Sequence, residues 1–292
     1  MKKAAIILVL WVGSVSVAGE AVSAVNGKVG YAGGSMEGDW GDNVLVSGSV
    51  PLTPNFGFQA DGLYTNVSDR DFIGSAAHLF WRDWDKGLLG FAGGGVHEED
   101  IDSLRAGLEG EYYLKQVTLA AGAGVATLEY DNGPYPFIDD DVTDFFASAT
   151  VRYYPWDDLM VSASYLHAFD NELVLGMVEY QTPIHGLSVF AQVAEGEHDY
   201  DHALFGVQFY IGQPKSLMLR HRSDDPPSVV PDILYGIGVY GAEFNKRARE
   251  FAETHPVAQG STAGGSYGAE FTFGQPSDPA TPDDWRDYQN GL

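Results

Sequence analysis

The chain has no cysteine among its 292 residues. That excludes a disulfide framework and any thiolate metal site. It is also poor in positive charge: 16 Lys and Arg stand against 41 Asp and Glu, a formal net charge of −25. So acidic a chain repels a phosphate backbone, so nucleic acid is set aside as a partner. Beyond its N-terminus, no stretch approaches the ~18 uncharged apolar residues of a membrane-spanning helix. HExxH and P-loop motifs are both missing. The Gly-rich stretch GFAGGGVH (90–97) continues a strand pattern with no helix after it, so it is no phosphate loop.

What is present begins with MKK and the uncharged run AAIILVLWVGSVSVAG. A short basic start, an apolar stretch and small residues after it read as a secretory signal peptide. Val22-Ser23-Ala24 fits the cleavage pattern, so residues 1–24 are expected to be removed after Ala24. The rest holds 36 Gly and is 13% aromatic, distributed over many short segments, which suggests an all-β protein.

The dominant signal is alternation with period two. In FFASATVRYYPWDDLMVSASY (145–165), Phe145, Ala147, Ala149, Val151 and Tyr153 form one apolar face, with Ser148, Thr150 and Arg152 between them. The pattern resumes after the turn at Leu159, Val161, Ala163 and Tyr165. Similar segments recur from residue 25 to 211, most of about 9–11 residues, the length of a tilted spanning strand. Connections alternate between short turns (51–55, 82–87, 114–116, 155–158, 182–186) and acidic stretches (35–43, 66–71, 97–102, 129–141, 169–172, 195–202). This is the layout of an antiparallel up-and-down barrel with its N-terminus in the periplasm. Trp81, Trp84, Tyr112, Tyr113, Tyr153, Tyr154, Trp156, Tyr180 and Tyr210 lie at the short-turn ends and read as an interfacial girdle. The apolar face is nearly free of charge, and with the signal peptide and strand length this puts lipid outside and polar groups inside.

On the signal peptide, the hairpin pattern and FGVQFYIG (205–212), the chain resembles bacterial outer-membrane β-barrel proteins of the porin-like type. FGVQFYIG resembles the assembly signal on the last strand of such barrels, and GQPKSLMLRHRSDDPP (212–227) resembles the periplasmic end of a group of uncharacterised proteobacterial barrels. The resemblance implies residence in the outer membrane among its lipid and lipopolysaccharide, and insertion by the barrel assembly machinery. The domains expected are a signal peptide (1–24), a barrel (25–211) and a periplasmic tail (212–292). ILYGIGVYGAEF (233–244) alternates, and SYGAEFTFG (266–274) also matches the assembly signal. The tail is therefore read as carrying an extra hairpin, with twelve strands in the barrel or, alternatively, fourteen.

Ionisable residues on the polar faces, Asp61, His78, Arg82, Arg105, Glu109, Glu111, Arg152 and Glu179, are candidates for a lumenal constriction. The competing reading is a paired network filling a narrow barrel. Glu98, Glu99, Asp139, Asp140, Asp141, Glu195 and Glu197 would form an acidic mouth, concentrating cations at low salt. His198, Asp199, Asp201 and His202 are a weak metal candidate, since their predicted loop does not fix ligand geometry; no cofactor is expected. His167 with Asp170, and His78 with Ser75, are the nearest approaches to a catalytic pair, though the latter two fall on opposite strand faces. The chain is read as a non-enzyme: a porin-like barrel passing small solutes. The alternatives are a closed structural or adhesive barrel acting through its acidic loops, and a lipid-modifying enzyme.

Overall fold

In the computed structural model, residues 21–68, 70–130, 141–254, 271–272 and 275–276 are described. Twelve antiparallel strands form one closed barrel: β1 (Asn26–Met36), β2 (Asp39–Pro51), β3 (Phe56–Val67), β4 (Arg70–Asp83), β5 (Gly87–Glu98), β6 (Ile101–Leu114), β7 (Val117–Tyr130), β8 (Asp141–Trp156), β9 (Leu159–Ala168), β10 (Asn171–Gln181), β11 (Leu187–Gly196) and β12 (Asp201–Ile211). Each strand pairs with its sequence neighbours. The seam is closed by β1 on β12, in the register Val29↔Phe209 and Tyr31↔Val207. Closure pairs the backbone of every strand and leaves no edge, as lipid requires. Fourteen strands are excluded.

The faces follow the alternation. Phe145, Val151 and Tyr153 are exposed on the outer wall while Arg152 is buried inside. Phe56 and Phe58 lie outside with Gln59 and Asp61 inside; Leu104 and Leu108 lie outside with Arg105 inside. Trp81, Trp84, Tyr112, Tyr153, Trp156 and Tyr180 are exposed, as a girdle requires. Tyr113, Tyr154 and Tyr210 do not belong to it: they face inward, because each falls on the inner parity of its strand.

We call the end where β1 begins and β12 finishes the near rim, and the other the far rim. The expected long acidic loops of the far rim are mostly absent. Strands run 10–16 residues, and their polar alternation carries them through the acidic stretches to connections of two residues at 37–38, 99–100 and 169–170. Positive φ at Glu37 and Gly38, and at Phe169 and Asp170, gives these turns the primed-turn twist that matches antiparallel strands. Of the expected acidic stretch 129–141, residues 131–140 lie outside the described residues.

The C-terminal segment departs most from expectation. After Ile211 it forms α1 (Leu217–Ser223) across the near rim, then turns into the lumen and continues as α2 (Val230–Thr254). The expected strand at 233–244 is therefore a helix. The helix begins where the Ser228 hydroxyl accepts from the Val230 N–H at 3.3 Å; Pro231 sits in the first turn, where no intrahelical N–H is needed. Most of 266–274 lies outside the described residues; Phe271–Thr272 pairs only with Gln275–Pro276, apart from the barrel.

Candidate functional site

The lumen is built in three levels. Towards the far rim, Met36, Phe72, Val96, Ile101, Leu128 and Leu204 point inward and pack on Val230, Ile233, Leu234, Ile237, Val239 and Ala242 of α2. The helix crosses from the β4–β5 wall to the β9–β11 wall. A Cβ on Gly74 would lie 2.3 Å from the Val230 side chain, so glycine is needed where α2 starts. Further along, Phe169 packs on Tyr240 with ring centroids 5.7 Å apart, and the Asn171 amide donates to the Glu243 carboxylate at 3.0 Å. Gln192 donates to the Tyr235 hydroxyl at 2.8 Å. The segment thus enters from the near rim and reaches the far one.

The near level is charged and paired. His78 bridges Asp61 and Glu109, each at 3.0 Å. Arg152 donates to Glu111 at 2.7 Å. Glu179 accepts from Ser188 at 2.5 Å and from Tyr210 at 2.8 Å, and lies 3.4 Å from His221 of α1. Lys28 pairs with Asp225 at 2.6 Å. Arg82 is buried, stacks on Phe80 and donates to the Ala21 carbonyl at 3.2 Å. Ser23 donates to Asp224 at 2.7 Å, so processing after Ala24 would remove both contacts. All eight ionisable residues expected in the lumen line it; Arg82 is bonded to Ala21, and the other seven are paired with one another or with the C-terminal segment. Arg105 is held most loosely, 3.8 Å from Asp232 of α2 and stacked 3.6 Å from the Phe146 centroid.

α1 is clasped to the near rim. Arg222 donates to the carbonyls of Lys115 and Val117, each at 2.9 Å, and to the Thr118 hydroxyl at 3.2 Å. Arg220 donates to Gln181 at 2.9 Å. Leu217 packs into Tyr154, Met160 and Tyr210. The donor-only guanidinium meets turn carbonyls that can only accept, a pairing that sequence inspection had no means to foresee.

Between these levels lies a cavity of about 260 Å³, bordered by the β6–β10 wall and residues 225–235. Its wall carries Ser148, Thr150, Ser162 and Ser164.

Other expected groupings come apart. His202 is buried, bonded to Gln192 at 2.9 Å and Tyr200 at 3.1 Å, while Asp199 and Asp201 are exposed, so the four metal candidates share no site. Of the acidic mouth, Glu98 is buried and clamped by Arg70; Glu99, Asp141, Glu195 and Glu197 are exposed; Asp139 and Asp140 lie outside the described residues. His78 and Ser75 face opposite ways. His167 and Asp170 do meet at the far rim, with Asp144 as a third member, ligand atoms within 4.8 Å of one another.

No protein-family model and no curated protein matches the chain. Solved structures similar to it include a KdgM porin (10% identity, TM-score 0.47, covering 62% of this chain and 98% of that one). Another is the COG4313 outer membrane channel from Pseudomonas putida F1 (10% identity, TM-score 0.46, 65% and 95%). A third is the translocator domain of autotransporter NalP from Neisseria meningitidis (12% identity, TM-score 0.42, 65% and 87%). The similarity is one of fold. The chain is a closed, antiparallel up-and-down β-barrel with an apolar outer wall.

Proposed function

We propose that this barrel is a gated outer-membrane channel for small polar solutes, closed at rest by its own C-terminal segment. The observation that carries it is α2 seated in the lumen above a polar, partly empty middle section. An open pore would not keep an apolar inner wall in water, so that wall supports a bound helix as the resting state. The helix is also suited to leaving: Gly236, Gly238 and Gly241 each cost about 1 kcal/mol relative to alanine in a helix interior, so it owes its form to the wall.

Export by the signal peptide, with the near rim in the periplasm, accords with the acidic far rim. The exposed carboxylates of that rim favour cations at low salt. The inner arginines oppose this little, because Arg152 is already paired with Glu111 and Arg105 faces Asp232.

Planar-bilayer recording tests the proposal. The full chain should show low conductance with rare openings, and a chain ending at Ser228 should conduct steadily. A truncated barrel that stays folded, by heat-modifiable mobility, yet does not conduct would favour the closed structural barrel. A full chain conducting as freely as the truncated one would remove the plug from the account.

A further inference from the structure

We infer that the mid-height cavity is a binding chamber for a small, uncharged, polyhydroxylated solute. The inference rests on the channel reading and adds what the channel holds. The chamber lies inside the barrel between α2 above and α1 below, with Asp232 and Tyr235 of the one and His221 of the other in its lining. Its size, about 260 Å³, is near the lower end of small-molecule sites, which run roughly from 300 Å³ upward.

The chemistry of its wall selects the class. Thr150 and Ser164 face each other across β8 and β9, their hydroxyls 2.9 Å apart, with Ser148 two residues along β8 and Ser162 two along β9. Hydroxyls both donate and accept, so such a row suits a ligand that does the same at several points. Beside it on β10, Leu175 opposite Ser164 and Met177 opposite Ser162 supply an apolar strip. A polyol with its C–H face on that strip and its hydroxyls on the row fits both. The charged groups around the chamber have partners before any ligand enters: Lys28 with Asp225, Arg152 with Glu111, Glu109 with His78, Glu179 with His221 and, most loosely, Arg105 with Asp232. A charged solute would find no uncompensated partner for its desolvated charge. A structural filling would have put apolar side chains at Thr150 and Ser164, as it does one level higher with Phe146 and Leu166.

The test uses the full chain in detergent, with D-xylose as the neutral probe and glycine and succinate as charged ones. Binding is followed by isothermal titration and saturation-transfer NMR. The expected result is xylose binding that exceeds both others and weakens about ten-fold in Thr150→Val/Ser164→Ala, as loss of two modest hydrogen bonds implies. Stronger binding of glycine or succinate, no binding of xylose, or xylose binding untouched in a variant that keeps its folded mobility, would each overturn it. Conductance of the truncated chain is a separate readout, so chamber and channel can fail independently.

Discussion

In the far half of the lumen, Phe72, Ile101, Leu128 and Leu204 meet Ile233, Ile237 and Val239 in an apolar cluster. In the near half, Lys28, Arg82, Glu111, Arg152 and Glu179 stand at the same inward parity; Lys28 and Glu179 are tied to Asp225 and to His221 of α1, while Arg152 pairs with Glu111. One chain segment passes through both. The apolar half accepts only an apolar occupant, and it loses packing outright if that occupant moves. Groups in the polar half exchange protein partners for water at modest net change. The far half therefore sets whether the barrel is closed, and the near half keeps the segment attached while that is decided.

The largest expected effect strikes the apolar half. Ile237→Asp places an unpaired carboxylate among fully buried side chains, at roughly 3–5 kcal/mol. Conductance should approach that of the truncated chain while the barrel stays closed as a sheet. If the variant stays as silent as the parent, the apolar half is not the seal. Next comes the wall. Val151→Arg puts a charge into lipid, at ~2–4 kcal/mol near the midplane, and should lower the urea midpoint of the lipid-inserted protein. Thr150→Arg, one residue on but inward, should lower it much less. Equal damage from both would break the face assignment.

A smaller effect belongs to the near half. Arg222→Ala removes charge-assisted bonds to the Lys115 and Val117 carbonyls, each worth about 1.5–3 kcal/mol. Protease should then cut within 213–223 more readily, with little change in conductance. A large rise in conductance would mean that α1, not α2, seals. The smallest effect sharpens the contrast. A Cβ on Gly236 meets Ala168 at 3.5 Å, an ordinary contact, so Gly236→Ala should favour the helix by about 0.5–1 kcal/mol and make openings rarer. More frequent openings would mean the site is tighter than it looks.

These two halves were not equally legible in the sequence. The barrel wall was: period-two alternation fixes which residues face lipid, as at Val151 and Arg152, and closure follows from pairing every backbone group. The plug was not. ILYGIGVYGAEF alternates, and its β-branched and glycine residues disfavour a helix, so strand was the local preference. Inside a closed barrel no edge is free to pair with a strand, and a helix is what satisfies its own backbone there. The acidic stretches misled for a related reason. Polar alternation beyond the membrane looks like loop but continues as strand to two-residue turns at 37–38 and 99–100. Partnerships such as His78 with Glu109, or Arg222 with the turn at 115–117, depend on strand register and on where the C-terminal segment goes, which spacing alone does not reveal.

The most direct measurement exploits the absence of cysteine. A Cβ at position 236 lies 3.5 Å from the Ala168 Cβ, within the roughly 3.5–4.5 Å of a disulfide. Gly236→Cys with Ala168→Cys should therefore cross-link on mild oxidation and shift the mobility of the unfolded chain. Recorded in a bilayer, the oxidised protein should lose its rare openings and regain them on reduction. Failure to cross-link in folded protein, or openings unchanged by the cross-link, would contradict a lumen gated by its own C-terminal helix.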